Sequence, residues 1–189
     1  MRGMRWMPER MHPLTLALLL TAFRTFYGGL PHLGDRFNAV PIVIESGWPG
    51  TFPASDILVQ SGLNSGFHLY TALGKVASAG ISPSLLWEAG MLTTTFLLAL
   101  LCWKISEYLT GSRGVATMSA VVLMAMPPFR GSLVWSPIPG PEFVTASVGH
   151  CVVLLVMLCS SRRRWMVAGI ASGALCNIHP SNGSIAVVL

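Results

Sequence analysis

Charge is scarce in this chain. Of its 189 residues 10% are Asp, Glu, Lys or Arg, against about 25% in soluble globular domains, so an ordinary soluble domain is excluded. Paired cysteines are missing too. Cys102, Cys151, Cys159 and Cys176 form no CxxC pair, and all four fall inside apolar runs. Cys151 and Cys159 lie too far apart on one helix to bond to each other. The four therefore read as small buried apolar residues, with neither a disulfide framework nor a metal site. No Walker A, GxGxxG, HExxH or GxSxG pattern occurs, which leaves nucleotide, serine and zinc hydrolysis without support, and no cofactor is expected. A continuous basic patch is also lacking. The formal charge is +5, but the twelve Lys and Arg are spread in small groups beside apolar runs, so no nucleic-acid partner is expected.

What fills the chain instead is hydrocarbon. Hydrophobic residues make up 52% of it and the mean hydropathy is +0.62. Several runs approach the length that crosses a hydrocarbon core as a helix, about 20 residues. Lipid offers no hydrogen-bond partner, so such runs must satisfy their own backbones as helices. The expected fold class is all-α, a polytopic transmembrane helical bundle of five spans plus the start of a sixth, forming a single membrane domain.

The first span is expected at about 13–27, as an uncleaved signal anchor behind Arg2, Arg5 and Arg10. The second is expected at 82–103, with Ser82 and Ser84 placed to cap it, Pro83 in its first turn, and Trp87 and Trp103 at the two interfaces. KISEYLTGSRG reads as a connection to a third span at 115–126. A proline-rich loop holding Trp135 leads to a fourth at 143–159, and a fifth runs over 165–178 until CNIHPSNG interrupts it. SIAVVL reads as the opening of a sixth span, so the sequence is expected to be a fragment or a truncated gene product. Basic residues support this threading. Arg2, Arg5, Arg10, Lys104, Arg113 and Arg162 to Arg164 fall on one side, and only Arg36, Lys75 and Arg130 on the other. The positive-inside rule then puts the N-terminus in the cytoplasm and segment 28–81 outside it.

Segment 28–81 holds three of the seven acidic residues, Asp35, Glu45 and Asp56, in GDRFNAVPIVIESGWPGTFPASDILVQSG. Pro41, Gly47, Pro49, Gly50 and Pro53 argue for a long outer loop without regular structure up to Phe52. From Ser65 to Ser78, Phe67, Tyr70, Leu73 and Val76 recur every third residue, which predicts an amphipathic helix lying in the membrane interface.

This layout, a signal anchor, an outer loop with an acid just past the first span, an interfacial helix and closely spaced spans, resembles the N-terminal part of the GT-C superfamily of membrane glycosyltransferases. The segment from Asp35 to Gly62 and the turn CNIHPSNG are similar to stretches of bacterial GT-C-like membrane proteins. The resemblance implies transfer of a sugar from a polyprenyl-phosphate donor to an acceptor at the extracytoplasmic face of the inner (cytoplasmic) membrane. Asp35 stands where the family places its catalytic base. Arg36 stands where a common variant has a second acid, which argues against a paired-acid or metal-binding site.

Each candidate has a chemical and a structural reading. Asp35 as a base takes a proton from an acceptor hydroxyl; the other reading is a solvated acid beside Arg36. Arg24 holds a donor phosphate bidentately, or snorkels to the interface. It is also expected to pair with Glu88. Asp56 binds substrate in the same cleft, or caps a short helix over ILVQSGL. His179, in the break of the fifth span, forms a wall of that cleft. Glu45 reads as surface, His150 as a polar contact between helices or a proton relay, and Trp135 as an interfacial anchor or a sugar platform. Two competing readings stay open. One is a transporter or channel whose polar path uses Arg24, Glu88 and His150; the other is a non-catalytic scaffold.

Overall fold

A computed structural model describes residues 11–27, 33–64, 68–125 and 145–178. Every regular element among them is helical: α1 (Pro13–Tyr27), α2 (Leu33–Gly47), α3 (Ile57–Asn64), α4 (His68–Ser78), α5 (Pro83–Thr110), α6 (Arg113–Ala125), α7 (Thr145–Ser161) and α8 (Trp165–Ile178). Calls on Trp135, His179 and SIAVVL lie outside the described residues.

Helix α5 is the post against which the others stand. Its 28 residues are apolar enough to cross a membrane, and among the described residues it is the one helix that is also long enough. At 1.5 Å per residue it reaches roughly 42 Å, more than a hydrocarbon core of about 30 Å requires. It runs on through KISEYLT, which had read as a connection, because nothing in that stretch breaks a helix. The stop comes at Gly111, whose φ of 66° carries the left-handed turn and whose amide donates to the Glu107 carbonyl. At the other end Ser82 holds the N-cap position without a side-chain bond, and Pro83 supplies the first turn.

Around α5 the apolar helices run alternately up and down. Leu16, Ala17 and Leu20 of α1, Leu98, Ala99 and Trp103 of α5, Ala116, Ala120 and Met124 of α6, and Cys151 of α7 form one buried cluster. Small residues on α1 and α6 let these backbones approach, as in other helix pairs without a large aqueous driving force. Helix α7 runs parallel to α5: Cys151 Sγ donates to the Thr94 carbonyl at 3.4 Å, and Tyr108 Oη to the Ser161 carbonyl at 2.6 Å. Helix α8 folds back on α7 through Val156, Cys159, Ala168 and Leu175.

The tryptophans expected at the interfaces are core residues. Trp103 is 2% exposed, with Nε1 donating to Thr117 Oγ1 at 3.2 Å, and Trp87 is 4% exposed. The Thr117 hydroxyl, supplied by α6, makes burial of the Trp103 indole tolerable. Of the four cysteines, Cys151 and Cys159 are buried, Cys102 is half-buried and Cys176 is exposed; all are free. The expectation of four buried thiols therefore fails at Cys176, which faces away from α7.

The part read as irregular up to Phe52 holds helix α2 instead, and with α3 and the expected helix α4 it makes a three-helix unit. Pro41 lies inside α2 and removes one backbone donor, yet the helix continues to Gly47. Burial of Ala39, Ile42 and Val43 against α4 outweighs that loss. Contact between α2 and α4 is intimate. A Cβ added at Gly47 would lie 2.6 Å from the Gly74 carbonyl oxygen, and one at Gly74 would run into the Val43 carbonyl. Helix α4 is amphipathic, but its buried stripe is Tyr70, Gly74 and Ala77, while Val76 is exposed. It packs on α2, so its apolar face is covered by protein.

Gly74→Ala should therefore force α2 and α4 apart and destabilise the protein by about 1–3 kcal/mol. Gly169→Ala, on α8 with nothing within 4 Å of the added methyl, should be neutral or stabilising by up to about 1 kcal/mol. Thermal unfolding of the two variants side by side measures both effects.

Candidate functional site

The charged candidates sit on separate elements: Arg24 on α1, Asp35 on α2, Asp56 just before α3 and Glu88 on α5. Arg24 belongs to the last turn of α1 and is 9% exposed. Its Nη1 donates to the Met124 carbonyl at 3.3 Å. Met124 is next to last in α6, where backbone carbonyls lack intrahelical donors and the helix dipole is negative. The guanidinium thus turns inward to the end of α6, and the expectation that it snorkels outward does not hold. Nor does it pair with Glu88, which is exposed and accepts from Ser84 Oγ at 3.5 Å. The partner that won is local, four residues back on the same helix.

Asp35 lies in the first turn of α2, and its side chain is outside the described residues. Asp56 is the N-cap of α3: Oδ1 accepts from the amides of Leu58 at 3.1 Å and Val59 at 3.2 Å. Both bonds fall on one oxygen, so Oδ2 keeps its acceptor capacity. The three-helix unit meets the bundle through Tyr70 and Trp87, whose rings stack with centroids 6.3 Å apart, and through Val148 near the start of α7. His150 is half-buried one turn from that contact's neighbourhood on α7.

The residue that sequence reasoning missed is Glu45. Read as surface, it is 9% exposed and holds the turn after α2. Oε1 accepts from the Gly50 amide at 2.7 Å and Oε2 from the Phe52 amide at 2.9 Å. Those donations, Gly50's first and Phe52's next, hold its carboxyl below the usual range, against the opposing effect of burial. The signal was present in E-S-G-W-P-G-T-F: an acid at the end of an apolar run, followed by a Gly/Pro turn whose amides have no regular partner.

A cleft of about 520 Å³ opens between α1 and α5, walled by Leu18, Ala22 and Phe26 on one side and by Leu92 and Phe96 on the other. Thr21 and Thr25, which also line it, turn their hydroxyls to the carbonyls of Ala17 and Thr21 on their own helix. The cleft suits a hydrocarbon chain and offers little to a polar solute. Among the described residues no group of three or more His, Cys, Asp or Glu is placed to hold a metal ion.

No family model matches the chain, and no curated protein or solved structure matches it either. Among the described residues the class is all-helical, with one helix long and apolar enough to cross a membrane.

The Glu45 tether gives a pH dependence with a definite sign. Because the folded carboxyl is more acidic than the free one, its contribution is complete above the unfolded value of about 4.3. It is lost as pH falls from there through the lower folded value. In thermal unfolding between pH 7 and pH 3, the wild type should be more stable than Glu45→Gln at neutral pH, and the two curves should converge on acidification. Parallel curves would mean the carboxylate charge is not what holds the turn.

Proposed function

We propose that this chain is a multi-pass protein of the bacterial inner membrane. Its five spans are 13–27, 82–103, 115–126, 143–159 and 165–178, with the N-terminus in the cytoplasm. The observation that carries the reading is the apolar exterior of the antiparallel helices. Only 28% of the most apolar 18-residue stretch of α5 is buried by the rest of the protein, whereas a core helix of a soluble protein is covered on most sides. Phe26 is 84% exposed and Ile170 69%, and Leu18, Leu19, Met118 and Val122 also face outward. Lipid removes the penalty of that surface. Helices shorter than a full span, such as α1 and α6, are accommodated by local thinning or by their neighbours.

Within that setting we propose glycosyl transfer, in the manner of the GT-C enzymes the sequence resembles, from a polyprenyl-phosphate sugar to an acceptor at the extracytoplasmic face. Asp35 acts as general base on the acceptor hydroxyl. Arg24, Asp56 and His179 contact donor or acceptor, and the α1–α5 cleft receives part of the isoprenoid chain. Two features support this assignment of roles. Glu45 is committed with both oxygens to the turn after α2, which leaves it poorly placed as a base, and Asp56 retains one oxygen for a sugar hydroxyl. A continuous polar path, which a channel would need, gains no support from the bundle interior, where Trp103, Met124 and Leu175 are fully enclosed.

Membrane vesicles carrying the wild type should transfer sugar from a polyprenyl-phosphate donor, and Asp35→Asn should lower the rate about 10²–10⁴-fold with unchanged resistance to alkaline extraction. Equal transfer by the two proteins would remove Asp35 from the chemistry. Reporter fusions after residues 27, 110 and 161 test the threading, with the second and third expected on the cytoplasmic side.

A further inference from the structure

The turn from α7 to α8 places Arg162, Arg163 and Arg164 in succession, all exposed. None meets a carboxylate among the described residues, where the one ion pair is Arg113 with Glu107 at 3.2 Å. The turn is firmly built. Amides of Arg163 and Arg164 donate to the carbonyls of Ser160 at 2.9 Å and Cys159 at 2.8 Å. Tyr108 ties Ser161 to the end of α5, and the Arg162 guanidinium lies 5.7 Å from the centre of the Tyr108 ring.

Arg163 has a φ of 57°, and it is the one non-glycine residue with positive φ among the described residues. The equivalent position after α5 is Gly111, the residue that makes this geometry without strain. Sidedness of the membrane protein explains an excess of arginine near this turn. It gives no reason for an arginine at the single position where the backbone favours glycine, and such strain points to function.

The surface next to the turn changes character quickly. Trp165 is 64% exposed, and Met166 and Ile170 follow, also exposed, while α8 turns Ala168, Ser172 and Leu175 towards α7. Guanidinium groups, then an indole, then aliphatic side chains follow the order of phosphate, interface and acyl chain in a lipid leaflet. Guanidinium also matches phosphate oxygens bidentately.

We propose that the α7–α8 turn is a binding site for an anionic phospholipid, with the headgroup phosphate on Arg162, Arg163 and Arg164 and the acyl chains along Trp165, Met166 and Ile170. The proposal rests on the membrane reading above. It is tested on the full chain purified in neutral detergent, by following the thermal unfolding midpoint during titration with phosphatidylglycerol, phosphatidylcholine or inorganic phosphate. Phosphatidylglycerol should raise the midpoint saturably and phosphatidylcholine should not. Replacing all three arginines by Gln should weaken the phosphatidylglycerol effect about fivefold for each charge removed. Arg163→Gly separates folding from binding: it relaxes the turn, so the midpoint without lipid should hold or rise, while phosphatidylglycerol binds about fivefold more weakly. Equal stabilisation by phosphatidylcholine, or an unchanged response in Arg163→Gly, overturns the proposal. Inorganic phosphate reproducing the whole shift also overturns it, in favour of a soluble anion. A protein that stays in solution with no detergent at all fails the membrane reading itself, before any lipid is added.

Discussion

A long apolar helix must satisfy its backbone from end to end, and in this chain that requirement falls on α5. Once α5 is continuous from Pro83 to Thr110, each neighbour finds a fixed height along it. The three-helix unit meets it at Trp87, α6 crosses it at Trp103 through the Thr117 hydroxyl, and α7 is fastened at Thr94 and Tyr108. These contacts are indole, hydroxyl and thiol partners rather than ion pairs. Breaking α5 anywhere along its middle would uncouple the two ends, because few other contacts join them.

Charged side chains are used in two ways. Some are drawn inward to close helix ends and turns: Arg24 to the end of α6, Glu45 to the Gly50 and Phe52 amides, Asp56 to the start of α3. Each places a charge where free amides or carbonyls have the opposite partial charge. Where α5 ends, arginines stay outside and the turns are closed by backbone bonds and Tyr108. The former are ordered and partly enclosed, and the latter form an exposed cationic rim at the α7–α8 turn.

Sequence pattern was most informative where a helix is decided by its own composition. The limits of α1 and α8 follow from apolar runs bounded by Gly, Pro or Arg, and helices α1 and α8 occupy 13–27 and 165–178. It was least informative where tertiary contact decides. Helix α2 contains Pro41 and ends in a Gly/Pro turn, so its local preferences oppose it, and only the close approach of Gly47 to Gly74, 27 residues later, makes burial of Ile42 and Val43 possible. Periodicity in α4 was visible, but what covered it was not: a stripe of Tyr70, Gly74 and Ala77 can face lipid or a helix, and the two glycines were the clue to a helix. Trp87 and Trp103 read from the sequence as interfacial aromatics and are buried instead, because which side of a helix they take depends on neighbours that pattern does not reveal.

The same reasoning bears on which acid is suited to act on a substrate. A general base needs a lone pair that points into a cleft and a proton affinity raised towards neutrality. Glu45 has neither, since both oxygens accept backbone amides and its carboxyl is held below the usual range. Asp56 is halfway, with one oxygen on the α3 cap. Glu88 is exposed near the start of α5 and bonded only to the Ser84 hydroxyl. Asp35 lies in the first turn of α2, a position where an acid complements the free amides and the positive end of the helix dipole.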